Sequence, residues 1–136
     1  MQQAFSNATA FVELNLDRDI MIDASVYGMG RGAGNLNLEL ITNYLNEHKA
    51  ASYELLPIYE TFDEHLSKIF NKSPWGYTLP YYIAASFECN PNYAMYYSSE
   101  KKLPIKYIYK ILKSIKGEDK YLYSDEKAEF FYKNLV

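Results

Sequence analysis

The sequence predicts a mainly helical chain with a single short β-strand near its start: one and a half α/β units followed by a helical C-terminal part. Two observations lead to this. Apolar residues recur at helical spacing through most of the 136 residues. Only Ile20-Met21-Ile22, leading through Asp23-Ala24-Ser25 to Val26, reads as a compact apolar run too brief for a helix. Such a run has the pattern of a strand buried on both faces, as in parallel sheets.

The elements follow in order. Ala4, Ala8, Phe11 and Val12 fall on one helical stripe, and Asn15–Asp19 interrupts it with polar residues. After the expected strand at residues 20–26, four of the six glycines, Gly28, Gly30, Gly32 and Gly34, occupy alternate positions. That stretch is a loop, because glycine in such density serves unusual dihedrals or a close approach to the backbone. Asn35 then caps a helix in which Leu36, Leu38, Leu40, Ile41, Tyr44 and Leu45 keep helical spacing up to His48. The segment Tyr53–Tyr59 is the one further strand candidate, and Pro57 argues against a central position for it. Residues 61–71 repeat apolar side chains at helical spacing, and short helices are expected near 78–88, 91–100, 104–116 and 124–134. Pro104 stands at a helix start and Gly117 at its end. The domain division expected is 1–48, then a helical domain over 49–136.

Composition excludes several classes. Apolar residues make up 49% and charged residues 23%, a globular balance. Cys89 is the only cysteine, so neither an internal disulfide nor a thiolate metal cluster is available; it reads as a small buried residue. No apolar run is long enough for a membrane span, and the N-terminus lacks the pattern of a signal peptide, so no membrane partner and a cytoplasmic location are expected. Net charge is −3, with a basic excess confined to residues 101–136. There KKLPIKYIYKILKSIKG sets Ile105, Ile108, Ile111, Leu112 and Ile115 on one stripe and Lys106, Lys110 and Lys113 on another. This is an amphipathic helix with a solvated face, and no nucleic-acid partner is expected. Fifteen tyrosines, eleven of them from Tyr77 onward, suit either half-buried surfaces and interfaces or a core built with Tyr in place of Phe.

The glycine loop is the candidate site. In a strand–loop–helix arrangement, backbone N–H groups point outward and favour anionic or carbonyl oxygens, so Gly28, Gly30, Arg31, Gly32, Gly34 and Asn35 are expected to face a ligand. Gly28-Met29-Gly30-Arg31-Gly32-Ala33 also fits the dinucleotide pattern G-x-G-x-x-G/A. That reading needs a second strand ending in an acid about 20 residues on, where Glu54 and Glu60 lie. His48 and His65 lack H-x-H spacing and read as surface or helix-end residues rather than ligands.

The stretch IDASVYGMGRGAGNLNLEL resembles a segment of the HMG-CoA-lyase-like metal-dependent aldolases, closest to the 4-hydroxy-2-oxovalerate aldolase branch, with the pattern D-x-S-x-x-G-x-G-x-G-A-G-N-x-x-x-E. Asp23, Ser25, Gly28, Gly30, Gly32, Ala33, Gly34, Asn35 and Glu39 stand in that spacing. Arg31 and Gly32 depart from the G-x-G-E-R-A-G-N form of the related synthases. Residues 1–13 are similar to the preceding family helix, and residues 80–94 are more loosely similar to the helical C-terminal domain.

The resemblance implies a fold, the last α/β units of a TIM barrel followed by a helical C-terminal domain. It implies an activity as well: a carbon–carbon lyase that cleaves a 4-hydroxy-2-oxo acid to pyruvate and an aldehyde with a divalent metal, Mn²⁺ or Mg²⁺. The family's Asp and His ligands have no counterpart in this chain, so the chain alone is expected to be inactive. Asn35 is implied as at most a weak or water-mediated ligand, and Arg31 either faces a substrate carboxylate or sits on the rim. Implied partners are the small 2-oxo acid, a dehydrogenase docked on the helical domain and further copies of the chain; a helical interaction module is the alternative function.

Overall fold

The computed structural model describes residues 3–135, and 63% of the chain is helical. Two compact units divide it, Met1–Gly76 and Tyr77–Val136. Each has its own packing.

In the first unit, α1 (Ala4–Glu13) and α2 (Leu38–His48) pack together, burying Val12 against Ile41 and Thr42. The expected limits of both helices hold to within two or three residues. Phe5 meets Tyr44 edge-on at 6.1 Å, and the Tyr44 hydroxyl donates to the Glu13 carboxylate. Lys49 Nζ adds a 3.0 Å ion pair to the same group. The Tyr44 hydroxyl first, and Lys49 second, hold the Glu13 carboxyl below its ordinary value. α3 (Leu56–Thr61) carries Pro57 in its first turn and runs through one π-helical turn, Phe62–Leu66, into α4 (Ser67–Lys72). Proline suits that position because the first-turn N–H has no helical acceptor.

The expected strand and its barrel context are not formed. Residues 20–24 take no regular secondary structure, and among the described residues there is no sheet. The single β-bridge is Ser25 with Asn37, closed by Ser25 N–H to Leu36 O at 3.0 Å and Leu38 N–H to Ser25 O at 2.9 Å. A strand needs a neighbour along its length, and no other segment among the described residues pairs through its backbone with residues 20–24. Burial fails too: Ile20 is 38% and Met21 89% exposed. The chain is therefore helical, and the reading of residues 1–48 as α/β barrel units is corrected. Asn35 is not the cap of α2 either; that position is Asn37, and the helix starts at Leu38.

The second unit consists of α5 (Leu79–Ser86), α6 (Pro91–Met95) with a π-helical turn at Tyr96–Glu100, α7 (Ile105–Ser114) and α8 (Asp125–Leu135). Thr78 and Asn90 cap α5 and α6 through their side chains. Four of the five residues of the expected α7 stripe, Ile108, Ile111, Leu112 and Ile115, form the centre of this core at 0–1% exposure, whereas the fifth, Ile105 in the first turn, is 38% exposed. Lys106, Lys110 and Lys113 lie on its exposed face, as the spacing requires.

Tyrosine is core material here. Tyr93 and Tyr97 are both fully buried, and their hydroxyls donate to Asp119 O at 2.9 Å and Ala128 O at 3.0 Å. Among the described residues no buried side-chain polar atom lacks a partner. Burial pushes the Tyr93 hydroxyl up to about 12 and raises that of Tyr97 further. Cys89 is buried beside the same helices, and burial raises its thiol. That is the environment of an inert packing residue.

Candidate functional site

The loop of residues 26–37 is built by local hydrogen bonds. After the 3₁₀ turn Val26–Gly28, the N–H of Gly28 returns to Ser25 O at 3.0 Å and that of Met29 to Val26 O at 3.2 Å. The loop closes where Asn35 N–H donates to Gly28 O at 2.9 Å. Inside this ring, the Met29 carbonyl accepts from both Ser25 Oγ at 2.9 Å and Asn35 Nδ2 at 2.8 Å. Glu39, in the first turn of α2, accepts from Tyr27 N–H at 3.0 Å and from Asn37 Nδ2 at 2.9 Å. Ser25, Gly28 and Asn35 of the pattern quoted above thus share one set of hydrogen bonds, and Glu39 holds a second with Tyr27 and Asn37.

Three glycines are crowded from inside by that closure; a Cβ on Gly30 would lie 2.6 Å from Asn35 Nδ2. Gly28 has φ +63°, and a Cβ there would lie 2.8 Å from Asn37 Oδ1. Gly34 has φ +84°, and its Cβ would lie 2.7 Å from the Gly28 carbonyl oxygen, a backbone atom that cannot step aside. Internal crowding therefore accounts for glycine here, whatever the loop binds.

Closure leaves a set of donors over. The N–H groups of Gly30, Arg31, Gly32 and Ala33 have no protein acceptor among the described residues. Arg31 is exposed at the loop's tip and, among the described residues, forms no ion pair. A cavity of about 400 Å³ flanks the loop's far limb, lined by Ala4, Phe5, Ala33, Gly34, Asn35, Asn37 and Leu40. A larger apolar groove of about 690 Å³ lies along residues 20–22, lined among others by Val12, Ile20, Met21, Ile22, Leu45 and Ile58. All of these residues belong to the first unit.

The residues do not fit a divalent metal by themselves. Mn²⁺ or Mg²⁺ takes about six oxygen ligands, including carboxylates. Asn35 commits its Nδ2 to Met29, leaving one neutral oxygen, and Glu39, in the first turn of α2, already accepts from Tyr27 and Asn37. Among the described residues no group of three or more His, Cys, Asp or Glu side chains gathers. His48 and His65 are exposed and meet only their neighbours Glu47 and Glu64, at 3.8 Å each.

The dinucleotide reading loses its condition, since Leu56–Thr61 is helix where a second strand was required. Sequence reasoning gave Glu39 no role beyond its place in the pattern, and it passed over Tyr27 and Trp75. Trp75 Nε1 donates to Tyr27 O at 2.9 Å across 48 positions of sequence, and nothing in the local pattern signals such a contact.

No family model, curated protein or solved structure matches the chain.

Proposed function

We propose that this chain is part of a metal-dependent aldolase that cleaves a 4-hydroxy-2-oxo acid to pyruvate and an aldehyde, with residues 28–35 as its substrate-facing loop. The observation that carries the reading is the run of four consecutive backbone donors, Gly30 to Ala33, left without a protein acceptor beside the exposed Arg31. Such a run binds carboxylate and carbonyl oxygens, the groups a 2-oxo acid presents. The guanidinium of Arg31 supplies a charged, forked donor for the carboxylate. Asn35 holds the loop closed through Met29 and keeps its own oxygen free to accept. Under this reading the metal ligands come from polypeptide outside these 136 residues.

The test is kinetic. The coding sequence upstream of Met1 is read for an H-x-H or H-x-N stretch, and the protein it encodes is assayed for pyruvate release with Mn²⁺ or Mg²⁺. In that enzyme Arg31→Ala raises KM through lost carboxylate binding, whereas Asn35→Ala lowers kcat. If both variants behave as wild type, the loop does not face substrate and the reading fails.

A second reading, a helical module that docks a partner dehydrogenase, draws on the second unit. Tyr77, Tyr82, Tyr109 and Tyr121 are 44–60% exposed there, and tyrosine is a residue enriched at interfaces. Co-elution with an aldehyde dehydrogenase that is lost on Tyr→Ser replacement at these positions is its test.

A further inference from the structure

We infer that Glu39 and Trp75 are positioning residues, a two-sided clamp on Tyr27 that sets the conformation of the glycine loop. Tyr27 has φ 53° and ψ 27°. Left-handed backbone is uncommon for a bulky residue, and although Asn15, Ala50, Glu88 and Lys102 share a positive φ, Tyr27 is the aromatic among them. Here both of its backbone polar groups are held by side chains. Its N–H is taken by Glu39 Oε2 at 3.0 Å, and its carbonyl by Trp75 Nε1 at 2.9 Å.

The ring is fixed as well. It lies tilted against Phe62 at 4.3 Å and meets Phe70 edge-on at 5.2 Å, and Phe70 in turn packs against Trp75 at 5.0 Å. Tyr27 directly precedes Gly28, whose carbonyl accepts the Asn35 N–H that closes the loop. The direction of that carbonyl follows from the dihedrals just before it. Glu39 adds a second hold, since Asn37, which lies against Gly28, donates to its other oxygen at 2.9 Å. Neither Glu39 nor Trp75 lines the cavity at the loop's far limb, so they act on that limb through Tyr27; Glu39 does line a smaller cavity of about 260 Å³ at the loop's start, with Val26, Tyr27 and Phe62. The clamp itself stands on geometry; only its consequence for a substrate rests on the function proposed above.

Hydrogen exchange on the full chain, read amide by amide, tests it without any activity. The probes are the N–H groups of Met29 and Asn35, which donate to Val26 O and Gly28 O. Glu39→Ala speeds exchange at both by about tenfold or more, the worth of a hydrogen bond to a charged acceptor. Amides in the middle of α1 and α2 stay within about twofold, which separates a local hold from general destabilisation. Trp75→Phe, which keeps a ring but removes the donor, speeds the same two amides. Glu39→Gln retains an acceptor for Tyr27 N–H, exchanges within about threefold of wild type and keeps the test alive should Glu39→Ala not fold.

The decisive arm is Tyr27→Gly, which adopts the left-handed conformation without being forced. In that background Glu39→Ala has less than about a third of its former effect. An undiminished effect in the glycine background, or equal acceleration across α1 and α2, overturns the clamp. Inert substrate kinetics with intact loop exchange would instead remove the proposed function and leave the clamp standing.

Discussion

Gly34 and Gly76 provide a controlled comparison within one unit. Both have positive φ, +84° and +97°, so alanine at either carries the left-handed penalty, about 1–2 kcal/mol. They differ in what the new methyl group meets. At Gly76 nothing lies within 4 Å, whereas at Gly34 the Gly28 carbonyl oxygen lies at 2.7 Å. Relieving that contact moves Gly28 O away from Asn35 N–H, and the loss of this bond adds about 1 kcal/mol. Crowding of the closed loop adds about another 1 kcal/mol. Gly34→Ala therefore costs about 3–4 kcal/mol and Gly76→Ala about 1–2 kcal/mol. Trp75 is the only tryptophan and belongs to the same unit, so its fluorescence follows this unfolding alone in a urea titration. With a slope of about 1–1.5 kcal/mol/M for so small a unit, the two midpoints separate by at least about 1 M. Equal costs at the two positions would show that the loop is not closed on Gly28 as described.

Three further outcomes are expected. Ile111→Ala, at a fully buried position of α7, removes three carbons and leaves a cavity, costing about 3–4 kcal/mol in the helical unit; a loss below about 1 kcal/mol by circular dichroism in urea would refute the core assignment. Lys101 first, and Tyr96 second, lower the Glu129 carboxyl from 4.5 to about 2, so its contribution is complete above pH 4.5 and is lost as pH falls towards 2; Glu129→Gln should flatten the stability profile across that window, and an unchanged profile counts against the ion pair. Light scattering is expected to show self-association through the apolar groove and residues 20–22 beside it, weakened by Met21→Lys; a monodisperse monomer at all concentrations would contradict it.

The helices were legible because their information is local. The stripe Ile105, Ile108, Ile111, Leu112 and Ile115 places α7 by spacing alone, and the run Leu36–Leu45 places α2, though with its start two residues early. The strand failed for the complementary reason. Ile20-Met21-Ile22 has the composition of a buried strand, but a strand is a property of two segments, and the second is not among the described residues. Tyr53–Tyr59 was ambiguous in pattern and was decided by Pro57, which is poorly placed in a central strand and well placed in a first helical turn. The aromatic surplus was half legible: Tyr93 and Tyr97 are core, whereas Tyr77 and Tyr121 are surface, and both fates share one composition.

At the candidate site the sequence identified a loop but misattributed its glycines. Alternating glycine was read as room for a ligand, because a pattern cannot distinguish space needed outside the loop from space needed within it. Gly28, Gly30 and Gly34 face inward, towards Asn37, the Asn35 side chain and the Gly28 carbonyl in turn, so their absent side chains make room for the loop itself. Any capacity to bind then shifts to the residues whose backbone is not consumed by closure, Gly30 to Ala33. This changes which substitutions are informative. Alanine at Gly28 or Gly34 reports on folding of the loop, while alanine at Arg31 leaves the closing bonds in place and reports on what the loop holds. The network through Tyr27 sharpens the distinction, since Glu39 and Trp75 alter the loop without lining the cavity at its far limb. A ligand effect seen at Arg31 but not at Glu39 would place recognition in the tip alone. Equal effects at both would mean that recognition requires the closed geometry, and that the donors at Gly30 to Ala33 act only when Tyr27 is held.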